Sequence, residues 1–168
     1  KGGQPIPEPT VDWLAGQGVK NSPFRITTAD QLVLLSKASA LWDRPFVLDA
    51  DLDLAGIMWS MAVLQEFTGV FDGNRHKISN LKVLGDTPCN LGLIGCLDGG
   101  IVRDLEVVAA EIRGRGKDVG IVAGDSSGYV ISCNCTGAIT VEVDHDKYVG
   151  GLVGRNDGSV TNCSISGA

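Results

Sequence analysis

The stretch Gly92-Leu93-Ile94-Gly95 recurs as Gly151-Leu152-Val153-Gly154, and between the two Ile121-Val122-Ala123-Gly124 keeps the last three positions of the theme. With Gly95, Gly124 and Gly154 in register, the copies stand roughly 30 residues apart and the residues after each glycine fall into columns. Val102, Val130 and Val160 form one column, Leu105, Cys133 and Cys163 the next, and Val107, Cys135 and Ile165 the one after. The first copy needs one extra residue at Asp98-Gly99-Gly100. An earlier, diverged copy runs from Phe71-Asp72-Gly73 through Ile78, Leu81 and Val83.

A unit of this length, carrying two or three short strands, cannot bury its apolar face alone, so copies must stack around a shared core. Propeller blades need longer units, and leucine-rich repeats need a shorter unit with a different Leu/Asn spacing. The pattern therefore predicts an all-β fold, a parallel, right-handed β-helix solenoid with one coil per repeat. The columns are expected inside, the glycines at the corners, and an N-terminal capping α-helix over the otherwise unpaired strand edge.

That helix is expected to start at Thr28-Ala29-Asp30-Gln31, where the Thr hydroxyl and the Gln side chain can form a capping box, and to finish before Pro45. Leu32, Leu35 and Ala38 supply its apolar stripe. Before it, residues 1–22, with Pro5, Pro7, Pro9, Gly16 and Gly18, read as an extended arm that either pins Trp13 and Leu14 to the body or hangs free. From Phe46 to Leu54 apolar and polar residues alternate, which predicts one strand with a wet face. The division is then an arm at 1–22, a cap and first strand region at 23–66, and repeats at 67–168.

Charge narrows the function classes. Against 14 Lys and Arg stand 20 Asp and Glu, a net charge of −6, so the basic footprint that nucleic acid demands is missing. No apolar run approaches the roughly 18 residues of a membrane helix, so membrane insertion is not expected, and the start of the chain has no signal-peptide core. The five cysteines match no paired zinc pattern.

Taken together, these stretches resemble the GLUG-motif proteins, bacterial surface and adhesin-like proteins named for Gly-Leu-apolar-Gly. The resemblance runs from about Pro23 to Ala168. Pro23-Phe24-Arg25-Ile26-Thr27-Thr28-Ala29-Asp30-Gln31-Leu32 looks like the usual lead-in, Trp42-Asp43 through Leu54 like the following strand, and Phe67 to Asn74 like the first full coil. The chain departs from the pattern at Arg75, where glycine is common, and in the middle repeat, which lacks its Leu. The resemblance implies an exported, modular protein at the cell surface or outside the cell, its signal peptide not in this chain, of a kind that includes adhesins and accessory regions of IgA-cleaving metallopeptidases.

Candidate sites are few. Asp49, Asp51 and Asp53 alternate on the predicted strand and read first as a solvated outer face, second as a calcium site between coils; Leu54 and Ser60 rule out an EF-hand loop. Calcium is the one cofactor the sequence suggests. Cys133 and Cys163, on adjacent coils about 4.8 Å apart, lie within disulfide reach, but they replace Leu105 in an apolar column and read as buried thiols. Cys89 and Cys96 could pair across one turn.

His76 is expected to bond at a corner and His145 to lie in a solvent loop, since neither has a nucleophile or acid partner in a known motif. Arg103, Arg113, Arg115, Asp104 and Glu106 are the residues from which a catalytic groove could be assembled. Trp42 is expected to pack the cap, and Trp59 to be the exposed ligand-binding indole. The first reading is a non-catalytic β-helix module, acting as adhesin, binding surface or spacer, with carbohydrate or a host or cell-surface protein as partner. The alternative is a polysaccharide lyase or hydrolase, or its carbohydrate-binding domain. Stacking on neighbouring repeats of a longer chain, or self-association, is a third expectation.

Overall fold

A computed structural model describes residues 11–142 and 146–167. The chain forms a parallel β-solenoid of about four turns with one α-helix near its N-terminus. Strand β1 (Phe24–Ile26) leads into helix α1 (Ala29–Lys37), and the coils come after it. The first has β2 (Pro45–Leu48), β3 (Leu52–Asp53) and β4 (Leu64–Phe67). The second has β5 (Val70–Asp72), β6 (Lys77–Ser79), β7 (Lys82–Gly85) and β8 (Ile94–Leu97). The third has β9 (Ile101–Arg103), β10 (Glu106–Gly114), β11 (Asp118–Val119) and β12 (Ala123–Ser126). The fourth has β13 (Tyr129–Ile131), β14 (Asn134–Val141), β15 (Tyr148–Val149) and β16 (Val153–Asn156), after which β17 (Ser159–Thr161) and β18 (Ser164–Ser166) begin another.

Three longer parallel sheets make the sides, and β11 and β15 pair in a fourth, two-stranded one. The first runs β1-β2-β5-β9-β13-β17, the second β3-β6-β10-β14-β18 with β7 also on β10, and the third β4-β8-β12-β16. Their registers reproduce the columns: Val102, Val130 and Val160 align, as do Val107, Cys135 and Ile165. In the first sheet the inward column continues upstream as Phe24, Phe46 and Phe71. Phe24, Phe46, Phe67 and Phe71 pack ring to ring, with centroids 5.6, 6.2 and 6.4 Å apart along the series. Such contacts add about 0.5–1.5 kcal/mol each beyond area burial. Along the third sheet the inward position changes from Phe67 to Leu97 to Ser126 to Asn156, so the core shrinks and grows polar toward the last coil.

Helix α1 begins as expected: the Thr28 hydroxyl accepts from the Gln31 amide at 3.2 Å, and the Gln31 side chain accepts from the Thr28 amide. Leu32 and Leu35 are buried, and the helix packs against β4, the first strand of its sheet. The Trp42 indole, itself buried, donates to the Leu35 carbonyl at 2.9 Å and so ties the cap to the first coil. Upstream, Leu14 is buried, Gln31 Nε2 donates to the Trp13 carbonyl at 2.8 Å, and Ala15 bridges antiparallel to Arg25. Among the described residues no helix is long and apolar enough to cross a membrane.

Two expectations are corrected. The alternating run Phe46 to Leu54 is two strands, β2 and β3, joined by a corner at Asp49-Ala50-Asp51. Phe46, Leu48, Leu52 and Leu54 all remain buried, because the even count survives the bend. The repeat glycines Gly95, Gly124 and Gly154 do not make the corners; they lie inside β8, β12 and β16. Corners fall on left-handed non-glycine residues, and Asp104, Ser132 and Asn162 occupy one of them in successive coils at φ 50°, 53° and 53°. Asn and Asp tolerate that region because a short polar side chain bonds locally. The glycines answer to crowding instead. At Gly124 and Gly154 the segment ahead of a motif folds back against them, so that a Cβ at Gly154 would lie 2.5 Å from the Val119 amide nitrogen and 2.8 Å from the Tyr148 carbonyl oxygen. At Gly95 the neighbouring strand β4 crowds in, with the Gln65 carbonyl oxygen 2.7 Å from where a Cβ would lie. Gly92 and Gly151 lie just ahead of these strands, Gly92 at φ 155°.

Candidate functional site

With phenylalanines and valines pointing inward, the alternate positions of the first sheet must point out. One outward column reads Pro45, Val70, Ile101, Tyr129 and Ser159, and the other Val47, Asp72, Arg103, Ile131 and Thr161. The first is an apolar strip along the solenoid, ending in Tyr129, which is 51% exposed. Along it lies a groove of about 550 Å³ whose lining includes Val47, Val70, Ile101 and Ile131 together with Asp72, Arg103 and Lys20. Arg103 Nη2 holds Asp72 Oδ2 at 2.7 Å. An aromatic face, aliphatic neighbours and a fixed ion pair suit a ligand with one flat apolar side and polar edges.

A second concavity, of about 750 Å³, lies over the third sheet. Trp42, Asp43, Met61, Glu66, Cys89 and Cys96 are among its lining residues. Burial, and then the Asp125 carboxylate, pushes the Cys96 thiol up, so it is a poor nucleophile. Asp118, on the same side of the solenoid, is fully buried, and among the described residues no side chain hydrogen-bonds its carboxylate, which the Tyr148 backbone approaches. Burial raises its pKa; Lys117 opposes that shift and Asp125 adds to it.

The structure disperses the other sequence candidates. Asp49, Asp51 and Asp53 do not converge. Asp49 pairs with Arg25 at 2.6 Å, Asp51 with the His76 ring at 3.0 Å and the Lys77 amide at 3.1 Å, and Asp53 with Asn80 at 2.7 Å and the Ala55 amide at 3.0 Å. Those bonds, led by the Lys77 amide for Asp51 and Asn80 for Asp53, hold both carboxyls below their usual range. Among the described residues no three His, Cys, Asp or Glu side chains are grouped to hold a metal ion. His76 thus bonds at a corner; His145 lies outside the described residues.

Arg103, Arg113 and Arg115 are likewise spread out. Arg103 is on the first sheet with Asp72, Arg113 pairs with Glu111 at 2.7 Å near the far end of β10, and Arg115 pairs with Glu142 at 2.8 Å. Asp104 sits at a corner, and Glu106 opens β10. Trp59 is half-buried against the core, and its backbone bridges Val83.

All five cysteines are free thiols. Cys133 is buried above Leu105, and its amide faces Cys163 Sγ at 3.4 Å. Burial pushes the Cys133 and Cys135 thiols up to about 12. Tyr129 is the residue the sequence reading passed over. The signal was available, since an inward Val130 obliges Tyr129 and Ile131 to face out.

Comparison with known proteins agrees with this geometry. The GLUG motif is matched over residues 145–168. Halomucin of Haloquadratum walsbyi is 31% identical over 157 residues, an alignment that takes in 84% of this chain and 2% of Halomucin. A candidate immunoglobulin A1 protease from Bacteroides ovatus, known from its crystal structure, superposes with a TM-score of 0.66 at 22% identity, covering 91% of this chain and 59% of the other. The second likeness is one of fold. The chain thus spans a small part of Halomucin and about three-fifths of the superposed structure, and it carries a GLUG motif at residues 145–168 at the end of a parallel β-solenoid.

Proposed function

We propose that this chain is a non-catalytic module of an exported surface protein, presenting the outer face of its first sheet as an adhesive or binding surface on a rigid spacer. The observation that carries this reading is the use of charge. The arginines from which a catalytic groove could be assembled are tied singly to carboxylates, most of them between coils, while the accessible chemistry left on the first sheet is the Val70, Ile101 and Tyr129 strip. A catalytic set needs groups converging to about 3 Å on one reacting atom. The match to a short part of the much longer Halomucin supports a modular setting, and the GLUG motif supports an extracellular or cell-surface one.

Carbohydrate is the ligand class favoured, because a tyrosine ring can stack on a sugar face while the Asp72–Arg103 pair bonds its hydroxyls. The test is incubation with soluble and insoluble polysaccharides, recording both retained protein and newly released reducing or unsaturated ends. Retention without release, lost in Tyr129→Ala, is the expected result. Release of ends would overturn the non-catalytic reading, and retention unchanged in Tyr129→Ala would remove the strip from it.

A further inference from the structure

The strands that close the described solenoid, β15, β16, β17 and β18, each have a neighbour on one side only. Positions that face the core in earlier coils open there. Val149, Val160 and Ile165 are 45%, 37% and 46% exposed, while their register partners Val119, Val130 and Cys135 are buried. Leu152, Val153 and Cys163 are half-buried beside them. The opposite end differs. There α1 packs against β4, the Arg25 amide donates to the Ala15 carbonyl at 2.8 Å in an antiparallel bridge, and Leu14, Leu32, Leu35 and Trp42 close the core.

We propose that this C-terminal end face is a stacking interface for a further parallel coil of the same repeat chemistry. The interface between coils inside the fold specifies the occupant. All four sheets that end in these strands are parallel, so the occupant must offer four parallel strands at once. It must place aliphatic or thiol side chains over Val160, Cys163 and Ile165, as Val130, Cys133 and Cys135 are placed beneath them. It must also carry glycine above Gly158. In the coils below, a Cβ at Gly100 would lie 2.8 Å from the Gly69 carbonyl oxygen and one at Gly158 2.8 Å from the Gly128 nitrogen.

A second copy of this chain does not meet these demands. Stacked head to tail, it would bring α1 and the antiparallel arm to the face. Stacked tail to tail about a two-fold axis, its strands would run antiparallel and could pair along one sheet at a time. The inference concerns how the module joins others and stands apart from its ligand.

Appending a second copy of residues 139–168 after Ala168 keeps the register, because Gly167 stands over Gly137. The extended chain is expected to remain monomeric by light scattering and to unfold at a higher urea midpoint, with an m-value about a fifth larger, as roughly 30 residues added to 168 require. Val160→Glu, at a side chain open in the parent and covered in the extension, is expected to lower the midpoint several-fold more in the extended chain. Equal shifts in the two chains, or an m-value that does not grow, would overturn the proposal. Dimerisation of the parent through this face, abolished by Val160→Glu, would overturn it in favour of a second copy.

Discussion

Replacing Gly124 by alanine tests why the repeat motif ends in glycine. A Cβ at Gly124 would overlap the Asp118 carbonyl oxygen and lie 2.8 Å from Asn90 Cβ and 3.0 Å from the Gly95 carbonyl oxygen. Ordinary carbon contacts lie at roughly 3.5–4.0 Å. Two of these neighbours are backbone atoms, and the Asp118 carbonyl already accepts from the Leu91 amide at 2.9 Å, so none is the free end of a flexible side chain. Gly124 is not among the residues with positive φ, so alanine brings no left-handed strain there and the effect is steric. Overpacking of this kind costs about 1–3 kcal/mol. For a domain of this size that lowers the melting temperature by roughly 2–4 °C per kcal/mol, about 2–12 °C in all. Urea unfolding followed by circular dichroism reads the loss, with Gly99→Ala as the control: Gly99 has φ +65° but nothing within 4 Å. The control should show the smaller effect, the backbone strain alone. A Gly124→Ala protein as stable as the parent, or less perturbed than Gly99→Ala, would refute the crowding argument.

The valine column gives an internal series: Val102→Ala and Val130→Ala should each cost about 2 kcal/mol in urea unfolding, and Val160→Ala less than about 1, because the first two are fully buried and the third is 37% exposed. Native-state alkylation should modify exposed Cys89 quickly and leave Cys133 and Cys135, whose thiols burial pushes up to about 12, unmodified until the chain unfolds. For Asp118 the folded-state pKa is raised, so its ionisation opposes folding increasingly as pH climbs from the ordinary carboxylate range through the raised value. Asp118→Asn should therefore stabilise the protein at neutral pH and have little effect near pH 3; an equal effect at both, seen in thermal melts, would show that the carboxylate is not the cause.

What the sequence revealed, and what it hid, divides along a physical line. The columns were legible because every coil must put an apolar side chain at the same height, and that demand is written as a period. The capping box was legible because its two partners are three residues apart. The corner at Asp49-Ala50-Asp51 was not, because a bend that preserves the even count of buried residues leaves alternation intact. The role of the motif glycines was hidden for a related reason. For Gly124 and Gly154 the constraint comes from backbone atoms of Asp118, Val119 and Tyr148, whose approach depends on a fold-back that no side-chain pattern records. The fates of Asp49, Asp51 and Asp53 were hidden by register: Arg25, His76 and Asn80 come into reach only when the coils are stacked.

The same geometry separates the sides of the solenoid by how much freedom each has. On the third sheet, backbone atoms packed against Gly95, Gly124 and Gly154 leave no room for a Cβ, so the motif constrains that side in each of those coils. On the second, Lys82 and Arg113 converge on Glu111 while Arg115 reaches Glu142 on the next coil, so substitutions there disturb partners above and below. Between their ion pairs, the outward positions of the first sheet carry no comparable demand. Pro45, Val70, Ile101 and Tyr129 share a line along the solenoid without being needed by the core, whose inward residues on these strands are already supplied by Phe46, Phe71, Val102 and Val130. A ladder of strands that must keep its inside and two of its flanks has one surface left on which sequence can change without cost to folding, and the exposed tyrosine and aliphatic strip stand on that surface.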